Sequence, residues 1–458
     1  MASPSRSNPD YYYHWVRDSG IAIKAILLLY QSARAPAARQ RYLGTLMDFV
    51  DFSRLIQWTA VHRGGGLGDP QFTVDGAPYT EPWGRPQHDG PAIRAIVLVH
   101  LAFLLLGEGN LELVREKLYD AKLPTDSVIK TDLEYISHHW REPCFDLWEE
   151  RWGHHFFTRF MERSALLKGA MLATRLGDVG AASWYLEQAK DLGDELRLHW
   201  DPQRRYLVAA RDRDGGMSGQ RSGLDSSVVL ATLGGYSLDD HPQVADVYPV
   251  DHEQVLATVV ALEETFGAIY PINDPSRHIP GIAIGRYPED RYDGYRTDSI
   301  GNPWPGITIA FAIYYYLLAK RYQVSGRIVL TPTNLSFFRR LPVEDARFGP
   351  GEELPLGDPR FDEIVKALRV KGDTFLERVR YHANPDGSMS EQINRVTGFH
   401  QGAPDLSMNH AALLLAVEMR RRLLARITPP RGAGSRGRHN RECRGNRSRA
   451  GRGRPGSP

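Results

Sequence analysis

The sequence predicts a large all-α domain, and three observations carry that expectation. Apolar residues recur at three- and four-residue spacing along most of the chain, valine-rich alternating strand patterns are scarce, and helix-start signals separate the periodic stretches. In chain order the periodicity places helices over 19–33, 41–60, 91–107, 156–176, 179–199, 248–267, 304–322, 360–381 and 405–425. Shorter candidates lie at 124–139 and 222–233. The third helix opens on "HDGPAIRA", where Asp89 is placed to cap and Pro91 suits the first turn. Between the helices run Gly/Pro/Tyr-rich connections at 62–88, 201–221, 270–303, 323–357 and 383–404. Loops of that length inside a compact protein are usually functional. About eleven helices, with long loops after alternate ones, suggest a ring of paired helices whose loops share one rim.

Composition narrows the class. The chain has 458 residues, 42% hydrophobic and 24% charged, as soluble globular proteins do. The apolar run at 21–30 is too short to span a bilayer and carries Lys24, and no other run is read as reaching that length. "MASPSRSNPD" has no apolar leader core. Residues 431–458 hold nine Arg and one Glu, a balance of +8, so the +2 of the whole chain leaves about −6 on residues 1–430. A mildly acidic body argues against a polyanionic substrate. The Arg/Gly-rich stretch 428–458 has too few apolar residues for a core and reads as a disordered tail, with nucleic-acid contact permitted but not expected. Two cysteines, Cys144 and Cys443, exclude a disulfide framework. Asn334 and Asn446 open glycosylation sequons that matter only in a secreted protein.

Four segments combine aromatics, Arg and carboxylates: "PDYYYHWVRDSG" (9–20), "YTEPWGRPQHDG" (79–90), "FDLWEERWGHHFF" (145–157) and "GRYPEDRYDGYRTDSIGNPW" (285–304). A fifth, "NPDGSMSEQ" (384–392), sets one acid in a Gly/Ser-rich turn. Aromatic faces and forked Arg donors suit a neutral, hydroxyl-rich ligand such as a sugar. Cleaving a glycosidic bond needs one carboxyl group kept protonated and another kept ionised. Glu149, beside Trp148 and next to Glu150, is the candidate acid, because burial and a neighbouring negative charge both raise a carboxyl pKa. Adjacent side chains diverge, so Glu149 and Glu150 cannot form a simple dyad. Glu391, between Ser390 and Gln392, sits in a polar turn expected to favour the ionised form and is the candidate base. His138–His139 and His154–His155 lack further ligands at metal-site spacing, so no metal is expected.

Taken together and in order, the five segments resemble the motif set of glycoside hydrolase family 15, specifically its fungal-type glucoamylases, over residues from about 8 to 425. The resemblance implies an (α/α)6 barrel over 8–427, with a pocket for the terminal glucose of starch-like chains. It also implies an inverting mechanism without metal or organic cofactor. By position, Glu149 looks like the general acid and Glu391 like the general base. Arg17 and Asp18 match a pair that grips the terminal glucose, while Glu150 and Arg286 match further sugar-binding groups. Tyr11, Trp15, Trp83, Trp148 and Trp304 fall on aromatic wall positions. Only seven residues precede "NPDYYY", so the expectation is a barrel lacking its first helix, and the link from "GRYPED" to "GNPW" is longer than is usual in the family.

The function expected is exo-acting release of β-D-glucose from the non-reducing ends of starch, glycogen or maltodextrins, cleaving α-1,4 and more slowly α-1,6 bonds. The alternatives are a relative acting on trehalose or dextran, and an inactive sugar-binding protein. A monomer with an α-glucan substrate and no membrane partner is expected. The sequence leaves the compartment open: the expectation is cytoplasmic for the chain as written and secreted if an upstream leader is missing.

Overall fold

The computed structural model describes residues 1–212, 222–235 and 247–427; the tail at 428–458, Cys443 and the sequon at Asn446 lie outside the described residues. In chain order the helices are α1 (Val16–Ser32), α2 (Pro36–Arg63), α3 (Asp89–Gly107), α4 (Leu111–Lys117), α5 (Val128–His139), α6 (Phe156–Leu176) and α7 (Val179–Arg197). There follow α8 (Ser227–Gly235), α9 (Glu253–Ile269), α10 (Pro305–Ser325), α11 (Leu335–Arg339), α12 (Pro359–His382) and α13 (Ser407–Ile427). Each periodic stretch of the sequence is a helix, and α4 and α11 are additions too short to show a period.

Six of these helices close a ring. α1 packs on α3, α3 on α6, α6 on α8, α8 on α10, α10 on α13, and α13 returns to α1. Outside them lie α2 on α1, α5 on α3 and α6, α7 on α6, α9 on α8, and α12 on α10. This is the (α/α)6 arrangement. The outer position beside α13 has no helix among the described residues, and Leu414 and Val417 of α13 are exposed there.

The two layers follow from their sequences. α10 is enclosed on all sides, and Ile307 through Tyr322 are buried except Arg321. Pro305 starts it and Gly326, with φ +68°, ends it in the left-handed conformation. The outer helix α12 is amphipathic and is capped by the Asp358 carboxylate, which accepts from the Arg360 N–H at 2.9 Å. The inner helix α3 is long and apolar enough to cross a membrane by length and composition, contrary to the reading that no run reaches that length. It lies within the ring, with 72% of that window buried.

All six inner helices begin at one rim, and the described parts of the segments before them lie at that rim. The 323–357 connection departs from the expected pattern. It leads from the end of inner α10 to the start of outer α12 and so lies at the opposite rim. It contains the Asn334 sequon, whose amide is buried and bonded to the Val329 carbonyl at 3.0 Å and the Thr331 N–H at 2.8 Å.

Candidate active site

The eleven residues singled out in the sequence all line one cavity of about 590 Å³ at the N-terminal rim of the inner helices. Tyr11, Trp15, Arg17 and Asp18 come from the entry to α1, Trp83 from the entry to α3, and Trp148, Glu149 and Glu150 from the entry to α6. Arg286 and Trp304 come from the entry to α10, and Glu391 from the entry to α13.

Glu149 and Glu150 sit in a hairpin turn, not on a helix edge. Strand Cys144–Phe145 pairs with Trp152–His155, and the Asp146 N–H bonds the Arg151 carbonyl at 2.9 Å across the loop. One Asp146 carboxylate oxygen accepts the Glu150 and Arg151 N–H groups at 2.8 and 3.0 Å. The turn forces Glu149 to φ +67°, which costs a non-glycine residue about 1–3 kcal/mol. Gly84 makes room for it, since a Cβ there would stand 2.8 Å from the Glu149 carbonyl oxygen.

That turn sends the two acids apart. Glu149 Oε1 accepts from Arg17 Nη2 at 2.9 Å and its Oε2 from Trp83 Nε1 at 2.7 Å. Burial raises its pKa, opposed chiefly by the Arg17 charge. The Glu150 carboxylate points elsewhere: Arg286 Nη2 lies 2.7 Å from its Oε1, and the Tyr287 hydroxyl donates to Oε2. Burial raises the Glu150 pKa too, with Arg286 opposing.

Arg17 donates to Gln87 at 2.8 Å and to Asp89 and Glu149 at 2.9 Å each. Asp89 therefore does not cap α3. Helix α3 starts at Asp89 itself with no side-chain cap, and the carboxylate turns to the buried guanidinium, a stronger partner than a backbone N–H. Asp18 is buried beside Arg17, and burial pushes its pKa up to about 6.

Glu391 departs from expectation in its surroundings. The turn is polar in sequence, but the carboxylate is 1% exposed. Tyr11 donates to Oε1 at 2.9 Å and Tyr292 to Oε2 at 3.0 Å, while the two hydroxyls lie 2.9 Å apart. Burial pushes the pKa up to about 7, against the two tyrosine hydrogen bonds and the Arg286 charge. Gly402, with φ +78°, leaves this space, because a Cβ there would lie 2.5 Å from Glu391 Oε2.

The aromatic residues divide by exposure. Trp15 and Trp304 are buried, Trp148 is half-buried and donates to the Asp225 carboxylate at 3.0 Å, and Trp83 is exposed at the mouth. Sequence reasoning missed Tyr292, Gln87, Asp89, Asp146, Tyr287 and Asp225 as parts of the site. All but Asp225 lie inside the quoted segments, and the signal was their company there. Among the described residues, no group of three or more His, Cys, Asp or Glu side chains is placed to hold a metal ion.

Comparisons with known proteins bear on the family and the fold. The sequence model of the family described as Glycosyl hydrolases family 15 matches residues 1–418. A glucoamylase of Blastobotrys adeninivorans is 37% identical over 431 residues, covering 92% of this chain and 67% of that protein. Glucoamylase 1 of Rhizopus oryzae is 35% identical, covering 91% and 65% respectively. The chain thus spans about two thirds of the length of these two relatives. The solved glucoamylase of Saccharomycopsis fibuligera superposes with a TM-score of 0.83 at 32% identity, covering 93% of this chain and 89% of that one.

Proposed function

This chain belongs to glycosyl hydrolases family 15, and from that premise we propose that it is an exo-acting, inverting hydrolase. Its substrates are starch-like α-glucans and maltooligosaccharides, and it releases β-D-glucose from their non-reducing ends. One observation carries the reading: two carboxyl groups with different partners, Glu149 beside Arg17 and Glu391 beside two tyrosine hydroxyls, face a single cavity walled by indoles.

The chemistry divides between them. Glu149 Oε1 is held by Arg17, so the proton for the glycosidic oxygen is carried on Oε2, and Trp83 gives way to the leaving sugar. Once the proton has gone, the carboxylate left behind is stabilised by Arg17. Ionised Glu391 takes a proton from the water that attacks the anomeric carbon from the opposite face, and the hydroxyl arrives with inverted configuration. Asp18 and the Arg17 edge hold hydroxyls of the terminal glucose, and Glu150 with Arg286 holds those of the next sugar.

NMR of maltose hydrolysis at early times, before mutarotation, is expected to show β-glucose as the first-formed product. First-formed α-glucose would overturn the assignment of Glu391 as a base acting through water. Glu150 has a distinct expected signature. Glu150→Gln keeps most of kcat and raises KM by about tenfold or more, because a charge-assisted contact shared by ground and transition states is lost. Steady-state kinetics on maltose and maltotriose checks this split.

A further inference from the structure

The cavity does not end at the carboxylates. Below them it continues along the ring axis between all six inner helices, walled by Ile21, Val97, Met161, Leu233, Ile313 and Leu415. Val97, Ile313 and Leu415 each lie eight residues into their helices, so at 1.5 Å per residue the well reaches about 12 Å below the rim. Lys24 stands at the same depth on α1, its ammonium directed at the Leu233 and Gly234 carbonyl oxygens at 3.2 and 3.4 Å. That contact matches its charge to the C-terminal end of α8.

Such a lining suits neither sugar nor water. A sugar ring pushed below Asp18 would leave its hydroxyls without partners, at the cost of burying unpaired polar groups. The Lys24 ammonium and the two α8 carbonyls at this depth bond one another, so the rest of the wall offers an ordered water fewer than the two to four polar partners it needs, and apolar cavities stay dry and accept apolar guests. We propose that this well is a binding site for a short, uncharged aliphatic chain, entered through the sugar pocket. The proposal rests on the reading of the upper cavity as a sugar site only for its consequence, which is that occupancy of the well competes with substrate.

The test uses n-alkanols from ethanol to octanol as inhibitors of maltose hydrolysis, since an alkyl glucoside would carry its chain at the anomeric carbon, toward the next sugar and away from the well. Inhibition is expected to strengthen about fourfold per added methylene, the equivalent of ~0.8 kcal/mol each, until the chain fills the well. Ala310→Leu and Ala412→Leu, which narrow the well away from the carboxylates, are expected to flatten that dependence and leave maltose turnover unchanged. A dependence that survives both substitutions and disappears in Trp83→Ala places the chain at the mouth and overturns the proposal. A crystal of the unaltered protein under xenon pressure gives a reading independent of activity and of the variants' folding. Xenon between Val97, Ile313 and Leu415 supports the site, and ordered water or no density there overturns it. Xenon binding without maltose hydrolysis would leave the well standing and remove the hydrolase reading.

Discussion

Glu149→Gln is expected to lower kcat on maltose by about 10²–10⁴-fold, the usual loss when a general acid is removed, while maltose still binds. The amide keeps the shape of the carboxyl and the left-handed turn at φ +67°, so the change acts on the proton and not on the fold. Its oxygen can still accept from Arg17, and its NH₂ faces Trp83 at the exposed mouth. Glucosyl fluoride needs little protonation of its leaving group and should recover much of the lost rate in this variant. If Glu150→Gln gives the dead, fluoride-rescued enzyme instead, the two acids have been assigned the wrong way round.

Glu391→Gln should cost a comparable factor with no rescue by fluoride, because a base is still needed to activate water. Its environment adds two further signatures. Burial holds the Glu391 pKa near 7, against an ordinary 4.5, so kcat/KM should rise with pH through a limb displaced upward from the usual carboxyl range. The tyrosine hydrogen bonds oppose that displacement, and Tyr292→Phe should move the limb to still higher pH. Stability runs the other way. With the folded pKa raised, folding favours the protonated group, so this contribution is intact below about 4.5 and is lost as pH rises through about 7. The loss amounts to about 3 kcal/mol. Glu391→Gln should therefore melt higher than the unaltered protein at pH 8 and close to it at pH 4, a comparison calorimetry makes directly. Equal melting shifts at both values would mean that the carboxylate is not ionising in a buried site.

The legible parts of the molecule are those decided locally. Helical period located the helices of both layers, without saying which layer each belongs to, because each has a consistent buried stripe or is apolar all round, whereas five-residue α11 has too little length to show either. Asp89 carried a local cap signal, but its partner, Arg17, is 72 residues away. The surroundings of Glu391 were hidden in the same manner. Its sequence neighbours are polar, while the tyrosines that enclose it stand 380 and 99 residues distant. The hairpin turn at Glu149 was hidden because strands of two and four residues carry no readable alternation. What sequence order could convey was company: the segments that supply the cavity wall are those whose aromatics and charges had no other explanation.

The return of α13 onto α1 has a consequence for how the chain reaches its native state. The pairing joins the first and last long helices, and the Ser407 N–H bonds the Ala2 carbonyl at 2.8 Å across the same seam. Contacts this distant in sequence carry a large loop-closure entropy and form late. Neighbouring helices along the chain can associate early through local contacts, but Tyr11 and Glu391 meet only when the seam shuts. The cavity is thus a property of the closed circle and of no arc of it, and a folding intermediate with most of its helices formed would still hold neither the base in its tyrosine cage nor a pocket to put it in.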